Sequence, residues 1–271
     1  MYSLTLSCSF EQAEFLSAEL WEAGTIGIRE TADDTGVTLI AAFETNQTRP
    51  ELLQQFAVYR PEWTQEADTD WVQYTRDAWP GREVGRYLYL AAPWCTEATP
   101  AGRIRILHNP GLACGTGEHP CTQLALMALE QFVRPGFTVV DIGSGSGLLA
   151  IAAKKLGAAQ VWAVDTDLAS LTASVENFAL NGLPAPLIAG SCDAMSSNVG
   201  DIVVANISAS VLLSLREDLL RITRLDGCLI LTGFPEWETP YLQKFLLGAT
   251  VSAIEEWRCF VFRKEAYASA I

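Results

Sequence analysis

Short apolar runs alternate with longer segments of helical spacing through the second half of the chain. Runs rich in β-branched residues predict strands, and the amphipathic segments between them predict helices. The predicted strands cover 138–142, 160–165, 186–189, 201–206, 228–233, 251–257 and 259–263, and the predicted helices include 168–180 and 211–220. This order is typical of a doubly wound α/β sheet. Too little chain separates the last two strands for a crossover helix, so we expect the last strand to be antiparallel.

The first part of the chain has the pattern of a small, separate α+β domain. Alternation predicts strands at 2–8, 26–31 and 37–43, helical spacing predicts helices at 10–23 and 51–58, and a further strand is expected near Trp63. This order indicates a ferredoxin-like domain over residues 1–65, for which we expect a role in substrate recognition. Residues 66–80 are predicted to form a linker helix that Pro80 ends. Residues 81–271 form the larger domain, in which strands at 87–93 and 104–107 precede the main sheet.

A glycine loop connects the first strand of the main sheet to the helix that follows. Gly143, Gly145 and Gly147 stand at alternate positions after the strand, and a Leu/Ala-rich segment begins at Leu148. Without a Cβ atom, glycine reaches backbone conformations closed to other residues and lets a ligand lie against the chain. The start of the helix adds unpaired N–H groups beside the loop. Together these features predict a ligand-binding site.

The loop by itself fits two classes of ligand. Residues 145–150 match the pattern G-x-G-x-x-A, which binds the pyrophosphate of a dinucleotide such as NAD, and a similar loop binds S-adenosylmethionine. Asp165, at the end of the next predicted strand, suits the ribose of either ligand. Asp141 favours S-adenosylmethionine, because a carboxylate ahead of the first glycine suits the ammonium and sulfonium groups of its methionyl end better than it suits phosphates.

A polar loop rich in glycine precedes the helix that is expected to end near Val133. It covers 109–122, just before the strand that carries the glycine loop, and is a candidate binding loop. Cys114, His119 and Cys121 suggest zinc, but the trio lies within one short loop, lacks the paired spacing of zinc sites and has no evident fourth ligand. We therefore expect no metal.

The charge balance limits the classes of partner. Eighteen Lys and Arg residues stand against 32 Asp and Glu residues in 271, a net charge of −14, which repels nucleic acid and favours a basic partner. The seven cysteines form no C-x-x-C pair and are expected to be free thiols of a cytoplasmic protein. The sequence starts without a signal-peptide pattern and has no apolar run of membrane-spanning length, so neither export nor membrane insertion is expected.

Several motifs resemble those of the ribosomal protein L11 methyltransferase family, and the resemblance extends over nearly the whole chain. The most specific are Gly-Thr-Gly-x-His-Pro-x-Thr at 115–122 and Ala-Asn-Ile at 205–207, whereas many methyltransferases share the glycine loop. The other matching pieces are Asp70-Trp71, Asn109-Pro110-Gly111-Leu112-Ala113, residues 141–147, Val164-Asp165-Thr166-Asp167, Glu176-Asn177 with Asn181-Gly182, and Glu256-Trp257 with Arg263-Lys264. The resemblance implies a Rossmann-like methyltransferase fold of seven strands.

The resemblance also implies a reaction. It is the transfer of methyl groups from S-adenosylmethionine, with S-adenosylhomocysteine as product, to lysine side-chain or N-terminal amines of a basic protein, ribosomal protein L11 first of all. The implied cofactor-binding residues are Thr122, Gly143, Gly145, Gly147, Asp165 on the ribose, and Asn206. Asn206 would also position the amine near the transferred methyl, and Asp193 is a further candidate for the adenine amino group. No nucleic acid or membrane is implied as a partner, and a monomer is favoured.

Three positions depart from the family pattern. Cys114 stands where phenylalanine is usual, Glu118 where threonine is usual, and Ser208 where leucine is expected after Asn-Ile. Glu118 places a carboxylate beside the expected acceptor pocket, which leaves another protein amine or a small amine as alternative acceptors. An NAD-binding protein and a non-catalytic module with the same fold are the remaining alternatives, and the intact glycine loop and Asn206 argue against the module.

Overall fold

A computed structural model describes residues 2–33, 36–46, 49–65, 81–109 and 117–265. Contacts between Cα atoms divide the chain into two compact units, residues 1–75 and 76–271. The predicted linker helix at 66–80 and the middle of the predicted binding loop, 110–116, lie outside the described residues. Within the described ranges, every helix is too short or too polar to cross a lipid bilayer.

The first unit is a four-stranded antiparallel sheet with two helices. Its elements are β1 (Tyr2–Cys8), α1 (Phe10–Glu22), β2 (Gly27–Asp33), β3 (Gly36–Phe43), α2 (Arg49–Gln55) and β4 (Glu62–Gln65). The strands lie in the order β2-β3-β1-β4, which is the order of a ferredoxin-like sheet. Alternation along β1 and β3 buries Leu4, Leu6 and Leu39 against Leu16 and Leu20 of α1. The predicted order of strands and helices in this unit is therefore confirmed, although β2 extends to Asp33, two residues beyond its predicted end.

The second helix of this unit is shorter than its sequence pattern predicts. The pattern predicts a helix over 51–58, whereas α2 ends at Gln55 and a 3-10 turn, Ala57–Tyr59, follows it. Phe56 is buried in the core while Val58 is 82% exposed. Arg60 then adopts a left-handed conformation with φ 51°. Burial of Phe56 turns the chain toward β4 and ends the α-helix early.

Three strands ahead of the main sheet form a sheet of their own. β5 (Arg82–Val84) pairs antiparallel with β6 (Leu88–Ala91), and β7 (Ile104–Leu107) pairs parallel with β6. The strand predicted over 87–93 is therefore too long. The turn before β6 is held by Glu130, whose carboxylate accepts the backbone N–H groups of residues 86, 87 and 88 at 2.8, 2.8 and 2.9 Å. This contact comes from a distant helix, so local pattern does not reveal it.

The second unit is built on a mixed sheet of seven strands. They are β8 (Thr138–Ile142), β9 (Gln160–Asp165), β10 (Leu187–Ala189), β11 (Gly200–Asn206), β12 (Thr223–Pro235), β13 (Thr250–Ile254) and β14 (Trp257–Arg263). Their order is β10-β9-β8-β11-β12-β14-β13, parallel from β10 to β12, with β14 antiparallel to both its neighbours. The predicted fold class and antiparallel last strand are confirmed. Trp257 begins the last strand instead of ending the one before, because the hairpin turns at Glu255, whose φ is 51°.

Helices cover both faces of this sheet. They are α3 (Pro120–Phe132), α4 (Leu148–Lys155), α5 (Leu168–Leu180), α6 (Ala209–Ser214), α7 (Arg216–Ile222) and α8 (Thr239–Gln243). The single helix predicted over 211–220 is wrong, because α6 and α7 are separate and meet at Leu215, with φ −93° and ψ 2°. At this break the guanidinium of Arg216 donates to the Leu213 carbonyl at 2.9 Å, which satisfies a group that the helix leaves unpaired.

Alternate residues of the central strands face opposite apolar layers. Val139 and Val204 pack in one layer with α3 and α4, and Val140 and Val203 pack in the other with α6 and α7. Because β8, β9, β11 and β12 run parallel, their carboxyl ends meet at one edge of the sheet. Doubly wound folds bind their ligands at this edge. Gly143, Gly145, Gly147, Asp165 and Asn206 stand at or just after the strand ends there, whereas Thr122 lies in the first turn of α3.

Candidate functional site

The glycine loop after β8 has the backbone conformation that its sequence predicts. Gly143, Gly145 and Gly147 have φ values of 69°, 53° and 79°, which side chains other than glycine rarely adopt. Gly147 is the N-cap of α4. The N–H of Gly143 donates to the Val164 carbonyl at 2.9 Å, which joins the loop to β9. The loop is thus folded against the sheet at the start of a helix, where backbone N–H groups are available.

Glycine is also required at this edge by protein packing. A Cβ atom on Gly143 would lie 2.5 Å from Cγ2 of Ile207, and one on Gly147 would lie 2.8 Å from Oγ of Ser174. Gly233 directly follows Thr232, the last residue of β12 that pairs with β11. Its φ is 102°, and a Cβ atom at this position would lie 2.4 Å from the Ile207 carbonyl oxygen. Sequence reasoning missed Gly233, since its role depends on a neighbour from a different strand end.

Asp165 ends β9 and binds the glycine loop directly. One of its carboxylate oxygens accepts the Gly145 N–H at 2.7 Å, and the other accepts the Asp167 N–H at 2.9 Å. Asp167, in turn, caps α5 by accepting the N–H groups of Ala169 and Ser170 at 3.0 and 3.2 Å. Hydrogen bonds from Ser170 and Ala169 lower the pKa of Asp167. Asp167 is thus the N-cap of α5, and Asp165 keeps lone pairs for further donors.

Asp141 is fully buried beneath the loop. Its Oδ2 accepts the N–H of Ala150, in the first turn of α4, at 3.1 Å, whereas its Oδ1 is buried with no hydrogen-bond partner. Burial raises the pKa of Asp141 to about 7, the hydrogen bond from Ala150 opposes this rise, and the charge of Asp165 adds to it. A buried carboxyl with an unsatisfied oxygen is costly unless a donor or cation reaches it.

Thr122 and Asn206 meet at the centre of the edge. Thr122 is buried in the first turn of α3, and Asn206 is the last residue of β11. The Asn206 side-chain N–H donates to Oγ1 of Thr122 at 3.1 Å. With its nitrogen engaged in this bond, the amide presents its oxygen as an acceptor for another group. The structure therefore brings together two residues that lie 84 positions apart.

The start of α3 is held by contacts on both sides. His119 is the N-cap, and its Nδ1 accepts the Cys121 N–H at 3.3 Å. Its ring packs edge-on against Trp257, with ring centroids 4.4 Å apart. Burial raises the pKa of the Cys121 thiol, which also contacts Thr232 on β12. These contacts fix the helix turn that carries Thr122.

His119 and Glu118, at the end of the predicted binding loop, are the residues near the site that could act as a general base, and neither has the geometry for that role. Because Nδ1 of His119 accepts a backbone N–H, a neutral ring carries its proton on Nε2 and has no free lone pair. Glu118 forms an ion pair with Arg82 at 2.9 Å, with both side chains about half exposed. The carboxylate expected beside the acceptor pocket is thus neutralised by a basic partner from β5.

Cys114, His119 and Cys121, the three residues considered for zinc, belong to the same loop. Cys114 lies outside the described residues, and within the ranges that the structure describes no group of three His, Cys, Asp or Glu side chains could hold a metal ion.

Polar residues on the inner face of α5 connect the glycine loop to β7. Ser174 Oγ donates to the Gly145 carbonyl at 2.8 Å, and the Asn177 amide donates to the Ser146 carbonyl at 3.0 Å. Oδ1 of Asn177 accepts the N–H of Asn109, the first residue of the predicted binding loop, at 2.8 Å. These roles were missed. The available signal was a pair of asparagines four residues apart, Asn177 and Asn181, at the end of a predicted helix.

Asp193, the further candidate for the adenine amino group, lies apart from these contacts. It is exposed in the 3-10 turn Cys192–Ala194 that follows β10. Its role stays a prediction.

Comparison with known proteins identifies the family. A sequence profile described as Ribosomal protein L11 methyltransferase (PrmA) matches residues 3–265. The chain belongs to this family. A ribosomal protein L11 methyltransferase of Streptococcus equi subsp. zooepidemicus is 33% identical over 205 residues, 73% of this chain and 65% of that protein. One of Desulfosudis oleivorans is 32% identical over 209 residues, 73% of this chain and 68% of that protein. The chain thus spans 65% of the length of the streptococcal relative that it matches.

Solved structures agree on the fold. The ribosomal protein L11 methylase of Lactobacillus delbrueckii subsp. bulgaricus superposes with a TM-score of 0.63 at 33% identity, over 69% of this chain and 100% of that one. A 16S rRNA N2 methyltransferase of T. thermophilus, solved with AdoMet and guanosine, gives a TM-score of 0.51 at 18% identity, over 97% of this chain and 65% of that one. The second likeness shows the fold alone. The family resemblance read from the motifs is confirmed.

Proposed function

We propose that this protein transfers methyl groups from S-adenosylmethionine to amine nitrogens of ribosomal protein L11, on lysine side chains or the N-terminus. The observation that carries the proposal is the Asn206 amide at the end of β11, whose nitrogen donates to Thr122 at 3.1 Å. It lies at the sheet edge that also carries the glycine loop. Family membership over residues 3–265 supports the same reaction.

The residues at this edge fit the cofactor. Gly143, Gly145 and Gly147 supply backbone without side chains at alternate positions of the loop beside the start of α4. Asp165 retains lone pairs for the two hydroxyl groups of a ribose. Oδ1 of Asp141 is buried and unpaired, which suits a nearby ammonium group. When bound, S-adenosylmethionine supplies a methyl group on its sulfonium sulfur, which is a good leaving group because it departs as the neutral thioether of S-adenosylhomocysteine. A dinucleotide would instead bring phosphates toward Asp141.

The chain's own residues then have to bind and orient an uncharged amine. A free lysine has a pKa near ~10.4, so the amine must lose a proton before it attacks. The Asn206 amide oxygen accepts one remaining N–H and directs the nitrogen lone pair toward the methyl group. Transfer is a direct displacement, in which positioning and exclusion of water supply most of the catalysis. No nucleophilic side chain is required, which agrees with the engagement of His119 and Glu118 elsewhere.

A protein substrate suits the rest of the molecule. The net charge of −14 favours a basic partner. The ferredoxin-like unit carries no cluster of catalytic residue types among its described residues, and its first 60 positions have nine acidic and three basic residues. We assign substrate recognition to residues 1–65 and cofactor binding and transfer to residues 81–271.

The test combines binding with transfer. S-adenosylmethionine binding is measured by calorimetry, and transfer of labelled methyl groups is measured with unmethylated ribosomal protein L11, for the wild type and for Asn206→Ala. We expect the wild type to bind and to label the protein, and Asn206→Ala to slow transfer more than it weakens cofactor binding. Equal losses in both would remove the positioning role. Cofactor binding with label only in another protein or a small amine would move the substrate assignment there.

A further inference from the structure

Two large aromatic side chains project into solvent just after β12. Trp237 is 68% exposed and Tyr241 is 63% exposed. They stand four residues apart in a helical segment made of a 3-10 turn, Glu236–Glu238, and α8. Residues with this spacing lie on the same face of a helix. Exposed Trp and Tyr are the side chains that contribute most often to protein interfaces, because each buries a large area with few rotatable bonds.

The surface around these aromatics is acidic. Glu236 and Glu238 flank Trp237, and the hairpin turn between β13 and β14 adds the exposed Glu255 and Glu256. The two segments touch, since the Glu236 N–H donates to the Glu256 carbonyl at 2.7 Å. Arg258 pairs with Glu236 at 2.8 Å. Even with this pair and the nearby Lys244, carboxylates outnumber cations, so the surface favours a basic partner.

This surface is connected to Asn206 through a short series of direct contacts. Thr122, which accepts from Asn206, donates its N–H to the His119 carbonyl at 2.9 Å. The His119 ring packs against Trp257 at 4.4 Å. Trp257 pairs in the sheet with Pro235, the residue before Glu236. Trp237 therefore lies two residues beyond a strand end whose partner, Trp257, contacts the helix turn that carries Thr122.

We infer that Trp237, Tyr241 and the carboxylates around them form a docking surface for the lysine-rich segment of the protein substrate that carries the acceptor amine. This inference rests on the proposed function and extends it to a second contact, outside the first unit. The aromatic faces bind the alkyl stems and ammonium groups of lysines by apolar contact and cation–π attraction. The carboxylates attract the same segment over a longer range.

The test measures KM and kcat for unmethylated ribosomal protein L11 with the double variant Trp237→Ala/Tyr241→Ala. We expect KM to rise about tenfold, while kcat and the affinity for S-adenosylmethionine stay unchanged. Glu238→Lys should raise KM at low salt and lose this effect at high salt. Tyr87→Ala is the matched control, because Tyr87 is also exposed, at 42%, but its backbone is bound by Glu130 near the far end of α3.

The outcomes separate the two proposals. If wild type and the double variant both label ribosomal protein L11 with the same KM, the docking surface is refuted and the proposed function stands. A rise in KM of equal size in Tyr87→Ala also overturns it. A wild type that labels no ribosomal protein L11 refutes the proposed substrate and the docking surface with it. A rise confined to the double variant and Glu238→Lys supports both.

Discussion

The buried carboxyl of Asp141 makes the stability of the second unit depend on pH. Asp141 is 0% exposed, and burial raises its pKa from 3.8 to about 7. In the unfolded chain an aspartate ionises near pH ~3.9. Between these two values the folded protein holds a proton that the unfolded chain releases. The protonated Asp141 carboxyl therefore makes its full contribution to the free energy of unfolding below about pH 4, and this contribution is lost as the pH rises toward 7.

The size of the effect follows from the two pKa values. Each pKa unit corresponds to about 1.4 kcal/mol, so a shift from 3.8 to about 7 amounts to about 4 kcal/mol. From about pH 5 to about pH 8, wild type should lose about 3 kcal/mol of stability that a neutral side chain would keep. Asp141→Asn supplies that neutral side chain, since its amide oxygen still accepts the Ala150 N–H.

Amide hydrogen exchange measures the stability difference between wild type and Asp141→Asn within the second unit, which contains Asp141. The chain divides into two compact units, so we would follow amide exchange in peptides from β8, which belongs to the same unit as Asp141. Comparing wild type with Asp141→Asn at each pH cancels the intrinsic pH dependence of exchange. We expect Asp141→Asn to gain stability over wild type as pH rises. Peptides from β1 and β3 serve as the control and should not differ. A difference between the proteins that is constant from about pH 5 to about pH 8 would refute the buried, protonated carboxyl.

Three further substitutions test single contacts. Asp165→Ala should weaken S-adenosylmethionine binding by about 1.5–3 kcal/mol in calorimetry, because a charged acceptor is lost; unchanged affinity would contradict the ribose role. Gly143→Ala should destabilise the protein by more than Gly182→Ala in urea unfolding. Both glycines have left-handed φ, 69° and 65°, which costs an alanine about 1–2 kcal/mol, but only Gly143 is crowded. Asn177→Ala should cost about 1–3 kcal/mol of stability, because the two hydrogen bonds of a buried amide, each worth about 0.5–1.5 kcal/mol, are lost. Glu176→Ala, on the exposed face of the same helix, should change little.

The elements with local signals were predictable from the sequence. Apolar runs bounded by glycine gave the strands of the main sheet, and the short link between the last two strands gave the antiparallel hairpin. Gly143, Gly145 and Gly147 marked the loop because left-handed backbone needs glycine wherever it occurs. Asp167 was predictable as a cap because its side chain reaches N–H groups only two and three residues away.

What depends on distant neighbours was not predictable. The early end of α2 and the raised pKa of Asp141 both follow from burial, which the local sequence does not contain. The break at Leu215 has no local signal such as glycine or proline. Glu118 was read as an acceptor-pocket carboxylate, but its partner Arg82 lies 36 positions away. The Asn177 side chain forms hydrogen bonds with Ser146 and Asn109, which lie 31 and 68 positions away from it along the chain. Pairings of this kind become visible only once the topology of the sheet is known.

Mapping the transferred methyl groups to residues tests whether Asn206 orients an amine of ribosomal protein L11. Wild type and Asn206→Ala are incubated with labelled S-adenosylmethionine and purified, unmethylated ribosomal protein L11, and mass spectrometry locates the label by residue. We expect wild type to form methyl groups on lysine side chains or the N-terminal amine. We expect Asn206→Ala to form them much more slowly, although that variant still binds the cofactor. Absence of label with wild type, or equal labelling by both proteins, would contradict this proposal.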